Sequence, residues 1–147
     1  YHLGSKEGLL VEVVREVERQ KRQALAELER ELDAGVDGVA AAAELTRRFW
    51  SRLADPAMAP YERLFFELYG RALQGDPGAA PMLEWVVPSW LDQLTALLVR
   101  RGWAPDDAAA AARLGLATVR GLLLDLLATG DRAGADAAME LFIGRMT

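Results

Sequence analysis

From Leu10 onward, Val14, Val17, Leu25, Leu28 and Leu32 recur near the 3.6-residue period with charges between them, and the pattern stops at Asp33, Gly35 and Gly38. It predicts a long amphipathic helix with Ser5 as N-cap. Glu12 with Arg15, Glu16 with Arg19 and Glu18 with Arg22 stand at helical contact spacing, so the charge run reads as a solvated face. A second helix is expected over about residues 38 to 54, with Leu45, Phe49 and Leu53 on one stripe and Asp55-Pro56 as its stop. A third runs from near Pro60 to Gly75. The fourth is expected from near Pro81 to Gly102, with Pro88 kinking it near its middle. Pro105, Asp106 and Asp107 open the fifth, where negative charge suits the helix dipole, and Gly130 closes it. Asp131 caps the sixth. No stretch keeps a period of two, so the fold class is all-α, a bundle of about six helices.

Two helices carry more apolar surface than one contact uses. On the third, Tyr61, Leu64, Phe65 and Leu68 form one stripe, and Phe66, Tyr69 and Leu73 form another. A helix apolar on both sides is buried on both or borders a cavity. The second to fourth helices also concentrate Phe49, Trp50, Phe65, Phe66, Tyr69, Trp85 and Trp90. Such rings either fill an ordinary core or line a pocket. The pocket reading places an apolar site among the second to fifth helices, lined by Phe49, Trp50, Phe66, Tyr69, Trp85, Trp90, Leu94 and Thr118, with Tyr69, Trp85, Trp90 and Thr118 as polar handles. On the fifth helix, Ala112, Leu116, Val119 and Leu123 should face the core. Leu114, Ala117, Gly121, Leu124 and Ala128 form a second stripe with no evident partner inside one chain. With Ala138, Leu141 and Phe142 of the sixth helix they predict a two-fold four-helix contact, hence a homodimer.

The chain of 147 residues is 52% apolar and 27% charged, which fits one compact domain. No apolar run reaches the roughly 20 residues a bilayer requires, so no membrane partner is expected. There is no cysteine, and His2 is the one histidine, so thiolate and imidazole metal sites are excluded and no cofactor is expected. These features agree with a cytoplasmic location. A net charge of -5 argues against coating nucleic acid, so any DNA contact must be local. No phosphate-binding loop, nucleophile elbow or His-Glu-x-x-His motif is present. Glu67, Glu84 and Asp92 fall on polar sides by period, while Asp125, inside "LLLDLLA", reads as either an interface charge or a pocket group. No catalytic set emerges, and an enzyme is not expected.

The opening "YHLGSKEGLL" places Lys6 where a cation opposes the positive end of a helix dipole. Lys6 is either a tolerated surface residue or, with the free N–H groups of the helix start, a phosphate site. The stretch resembles the junction after the helix-turn-helix in the tetracycline-repressor (TetR) family, commonly Tyr-aromatic-His-Phe-x-x-Lys-x-x-Leu. On that resemblance Tyr1 matches the second aromatic, His2 the histidine and Lys6 the lysine, and Leu3 departs from the usual Phe. "AARLGLATVRGLLLDLLATGD" also looks like the eighth helix of many members. The resemblance implies that Tyr1, His2 and Lys6 contact DNA phosphates. It also implies that residues 1–5 are the end of a helix-turn-helix head that preceded Tyr1, and that 6–147 form a TetR-like C-terminal ligand-binding and dimerisation domain. It implies dimerisation through the same two last helices. The expected function is a ligand-responsive transcriptional regulator, a repressor, in which a small apolar or amphipathic effector controls operator binding through the head. The alternative is a helical-bundle small-molecule binding or scaffolding module that never touches DNA.

Overall fold

The structure, a computed structural model, describes residues 6–33 and 38–146. Tyr1, His2 and Ser5, assigned above to the DNA junction and the first cap, lie outside the described residues. Six α-helices follow in order: α1 (Lys6–Asp33), α2 (Gly38–Leu53), α3 (Ala59–Leu73), α4 (Pro88–Arg100), α5 (Pro105–Thr129) and α6 (Arg132–Met146). There is no strand among the described residues.

The helix ends follow local chemistry. Asp55 accepts from the Ala57 N–H at 2.9 Å and caps a short 3₁₀ turn, Pro56–Met58, that leads into α3. Asp131 accepts from the Gly134 N–H at 2.8 Å and caps α6 as expected. Between α5 and α6 the chain turns at Gly130, whose φ of 70° lies in the left-handed region that favours glycine.

The fourth helix departs from expectation. Residues 80–84 form a separate 3₁₀ turn, Ala80–Glu84, and α4 starts only at Pro88. Pro88 has no N–H to give the Glu84 carbonyl, and its ring crowds that oxygen. Val86 N–H still bonds Met82 O at 2.9 Å, and Ser89 N–H reaches Trp85 O at 3.2 Å, so the chain stays coiled across the break. Proline opens this helix instead of kinking it. A tight loop holds the 3₁₀ segment onto α1: a Cβ on Gly78 would stand 2.8 Å from the Glu7 Cβ, so only glycine allows that approach without a shift.

Three apolar clusters hold the bundle together. Val11 and Val14 of α1, Phe65, Leu68 and Ala72 of α3, and Ala79, Met82, Trp85 and Val86 of the 3₁₀ region make the first. Leu25, Leu28 and Leu32 of α1 meet Leu45 of α2, Trp90 and Leu97 of α4, and Leu116 of α5 in the second. Trp50 and Leu53 of α2, with the adjoining Ala54, meet Leu123 of α5 and Ala135, Met139 and Ile143 of α6 in the third. The Trp50 indole N–H donates to Asp136 at 2.7 Å, and Arg132 bonds both Asp136 and the Ala54 carbonyl, pinning α6 to the end of α2.

Candidate functional site

A partly open cavity of about 830 Å³ runs through the second and third clusters and is lined by all six helices. Its origin is visible in residue size. Gly38, Ala42 and Ala43 on α2 and Ala111, Ala112 and Gly115 on α5 line it, and these small side chains leave unfilled the space that larger ones would occupy. Phe49, Phe66, Trp90, Leu94, Leu98 and Val119 supply most of the remaining apolar wall. Gly38 and Arg100 are the exposed lining residues, so the mouth lies at that end. The size falls within the range of pockets that hold drug-sized ligands.

One wall is charged. Glu18 on α1 and Glu62 on α3 are each only 3% exposed, and Lys21 stands between them. Lys21 Nζ lies 3.1 Å from Glu18 Oε2 and bonds Glu62 Oε1. The Tyr61 hydroxyl donates to Glu18 Oε2 at 2.9 Å, and the Trp90 indole N–H donates to Glu18 Oε1 at 3.2 Å. From α5, Arg120 brings Nη2 to 3.9 Å from Glu18 Oε1 and donates to the Val86 carbonyl. Its guanidinium lies 5.2 Å from the Phe65 ring centre and 5.8 Å from that of Tyr69. Two cations thus balance two carboxylates inside the bundle, the condition under which buried charge is tolerated.

Burial leaves its mark on these groups. It pushes the Glu62 carboxyl above the usual carboxylate range, against the pull of Lys21. Burial, followed by the Glu18 charge, drives the Tyr61 phenol far up, so it acts as a donor. Burial also draws Arg120 below the usual arginine range while Glu18 opposes the shift, and an arginine so placed is still cationic.

Of the pocket residues expected from sequence, Phe49, Phe66, Trp90 and Leu94 line the cavity, and Trp50, Tyr69, Trp85 and Thr118 do not. Trp50 is buried between α2 and α6, and Trp85 and Tyr69 pack in the first cluster. Among the expected polar handles only Trp90 reaches the wall, and its N–H is already bonded to Glu18. The charge run of α1 is only partly a solvated face. Glu16 and Arg19 pair at the surface at 2.6 Å, but Glu18 turns inward because its neighbours Tyr61, Trp90 and Lys21 satisfy it there. Glu67, Glu84 and Asp92 are exposed, and Asp125 is exposed outside the cavity.

Sequence reading missed the polar wall altogether, although two signals stood in plain view. Arg120 lies four residues after Leu116 and three before Leu123, on the core stripe of α5. Glu18 and Lys21 occupy the gap between Val14 and Leu25 in the core stripe of α1.

The second stripe of α5 is exposed throughout. Leu114 and Leu124 are 53% and 52% accessible, Leu141 of α6 is 63% accessible, and Ala117, Gly121 and Ala128 are also exposed. Ala138 is half-buried, and Phe142 turns partly inward to line the cavity. Lys6 is exposed at the start of α1. Among the described residues no cluster of acidic, histidine or cysteine side chains could hold a metal ion, and no helix is long and apolar enough to cross a membrane. No family model, no curated protein and no solved structure matches the chain.

Proposed function

We propose that this chain is the effector-binding and dimerisation body of a ligand-responsive transcriptional regulator of the TetR kind, a repressor whose operator contacts are made by a helix-turn-helix head. It is read as cytoplasmic and without catalytic activity. The observation that carries the reading is the largely apolar cavity, which has the size and the few convergent polar groups of a small-molecule site. The junction residues "YHLGSK" add the resemblance on which the DNA-binding part rests.

The architecture offers a route for coupling. α1 contributes Glu18, Lys21, Leu25 and Glu29 to the cavity and begins at Lys6, about 18 Å along the helix from Glu18 at 1.5 Å per residue. α5 turns Leu116 and Leu123 to the cavity and Leu114 and Leu124 to the outside, where a second copy would cover them. An effector that fits one arrangement of α1 and α5 better than another shifts the spacing of two heads by that difference in affinity.

A thermal-shift screen of apolar and amphipathic compounds tests the cavity, because a ligand that binds only the native body raises its melting temperature. No stabilising compound in a broad screen would remove the effector. Sedimentation at micromolar concentration tests the pairing: a dimer is expected, and Gly121→Arg should dissociate it by driving a charge into the contact. A chain with a helix-turn-helix joined before Tyr1 should bind its operator, and Lys6→Ala should weaken binding equally across sequences and flatten its salt dependence. The acidic balance of the chain favours a second reading, a small-molecule binding module that never meets DNA. An operator shift by the joined chain that an effector abolishes would exclude it.

A further inference from the structure

The charged wall narrows what the cavity accepts. Four cations line it, Lys21, Arg100, Arg101 and Arg120, against the three carboxylates Glu18, Glu29 and Glu62, in a chain whose overall balance is acidic. The carboxylates are well engaged: Glu18 has Tyr61 and Lys21 on one oxygen and Trp90 on the other, Glu62 holds Lys21, and Glu29 accepts from Arg100 at 2.7 Å.

Arg120 is different. Among the described residues its hydrogen bonding consists of one Nη2 donation, to the Val86 carbonyl, and its closest carboxylate oxygen stands at 3.9 Å, beyond hydrogen-bond reach. Nε and Nη1 donate to no group among them. Phe65 and Tyr69 lie beside the guanidinium, and one two-donor edge of its fork is left uncommitted in the wall of an apolar chamber. A planar fork of this kind matches a carboxylate with two parallel N–H···O bonds.

Resting on the reading of this cavity as an effector site, we propose that its ligand is an amphipathic monocarboxylate. The carboxylate sits on the two-donor edge of Arg120 that the Val86 carbonyl leaves free, and the hydrocarbon body lies among Phe49, Phe66, Leu94 and Val119. A cationic amphiphile is disfavoured because it would approach Arg120 and Lys21 while the carboxylates of the wall already hold partners.

Calorimetric titration of the whole chain with decanoate, decan-1-ol and decylamine tests this. Decanoate should bind at least about tenfold more tightly than either analogue, the discrimination that a charge-assisted pair gives. Arg120→Gln should remove that advantage while leaving decan-1-ol binding unchanged, and Arg120→Lys should restore part of it. Decylamine or decan-1-ol binding as tightly as decanoate would overturn the proposal, as would an Arg120→Gln chain that keeps full decanoate affinity. If Arg120→Gln does not fold, the ranking of the three probes on the unaltered chain decides. A chain that ignores decanoate but is stabilised by neutral or cationic compounds defeats the carboxylate assignment and leaves the effector site standing. A chain stabilised by nothing defeats both.

Discussion

Trp85 and Trp90 stand five residues apart and belong to opposite kinds of interior. Trp85 closes a cluster in which Val14, Ala79 and Met82 are completely buried and the 3₁₀ turn is pressed onto α1 and α3. Trp90 borders a chamber of about 830 Å³ whose other walls are half-buried side chains such as Phe49, Leu94 and Val119. The two regions use similar residue types, so hydrophobicity does not distinguish them. What differs is the opposing surface. The first cluster is filled by its own side chains, while the small side chains that α2 and α5 turn to the chamber leave its volume unfilled. Dense packing makes one end a scaffold, and the missing volume makes the other a receptacle.

The largest expected effect separates the two ends directly. Leu68→Ala in the packed cluster should cost about 2–5 kcal/mol, whereas Leu98→Ala beside the cavity should cost about 1 kcal/mol or less, because part of its surroundings is already empty. Urea titration of both variants checks this, and equal losses would mean that the chamber is packed in solution.

Trp90→Phe comes next. It keeps an aromatic ring in the wall but removes the indole donor from Glu18 Oε1. Losing a hydrogen bond to a buried charge should cost about 1.5–3 kcal/mol. Trp85→Phe should cost less, and the reverse order would show that the Glu18 network adds little to the fold.

Gly115→Ala sharpens the comparison from the other side. Gly115 lies within α5, and an added Cβ would meet nothing nearer than the Phe142 ring at 4.0 Å. The variant should gain roughly 0.5–1 kcal/mol from helix propensity while reducing the room for ligand. A stabilised protein with weakened ligand binding is the expected pair of results, and unaltered binding would move the ligand away from α5.

The smallest effect is a pH dependence at the boundary between the two regions. Burial raises the Glu62 carboxyl above its unfolded value, against the opposing charge of Lys21. Stability from this group is fully present below the unfolded pKa and is lost as pH rises through the folded one. The unaltered chain should therefore gain stability relative to Glu62→Gln on going from pH 7 to pH 5. Denaturation curves at the two pH values test it, and a constant difference would mean that Glu62 is no harder to ionise folded than unfolded.

Local patterns determined much of this protein. The 3.6-residue period fixed where α1, α2, α3 and α5 lie, Asp131 fixed the start of α6, and the core stripe Ala112, Leu116, Val119 and Leu123 was legible because one face of a helix must meet the interior. Those signals act within one or two turns of chain, and so they survive in the sequence itself. Pro88 marked an interruption whose form, a new helix start, depended on the 3₁₀ turn before it.

Tertiary structure alone decided which aromatics face a chamber and which fill a core. Phe66 and Tyr69 share one predicted stripe and both pack against the first cluster, yet of the two only Phe66 also lines the cavity. It likewise decided that Glu18, Lys21, Glu62 and Arg120, drawn from three helices, converge in one wall. Arg120, Glu18 and Lys21 stand on the core stripes of their own helices, but nothing local says what would balance them there. Only partners far away in the chain make the burial of such charges tolerable, and no local pattern records where those partners will be.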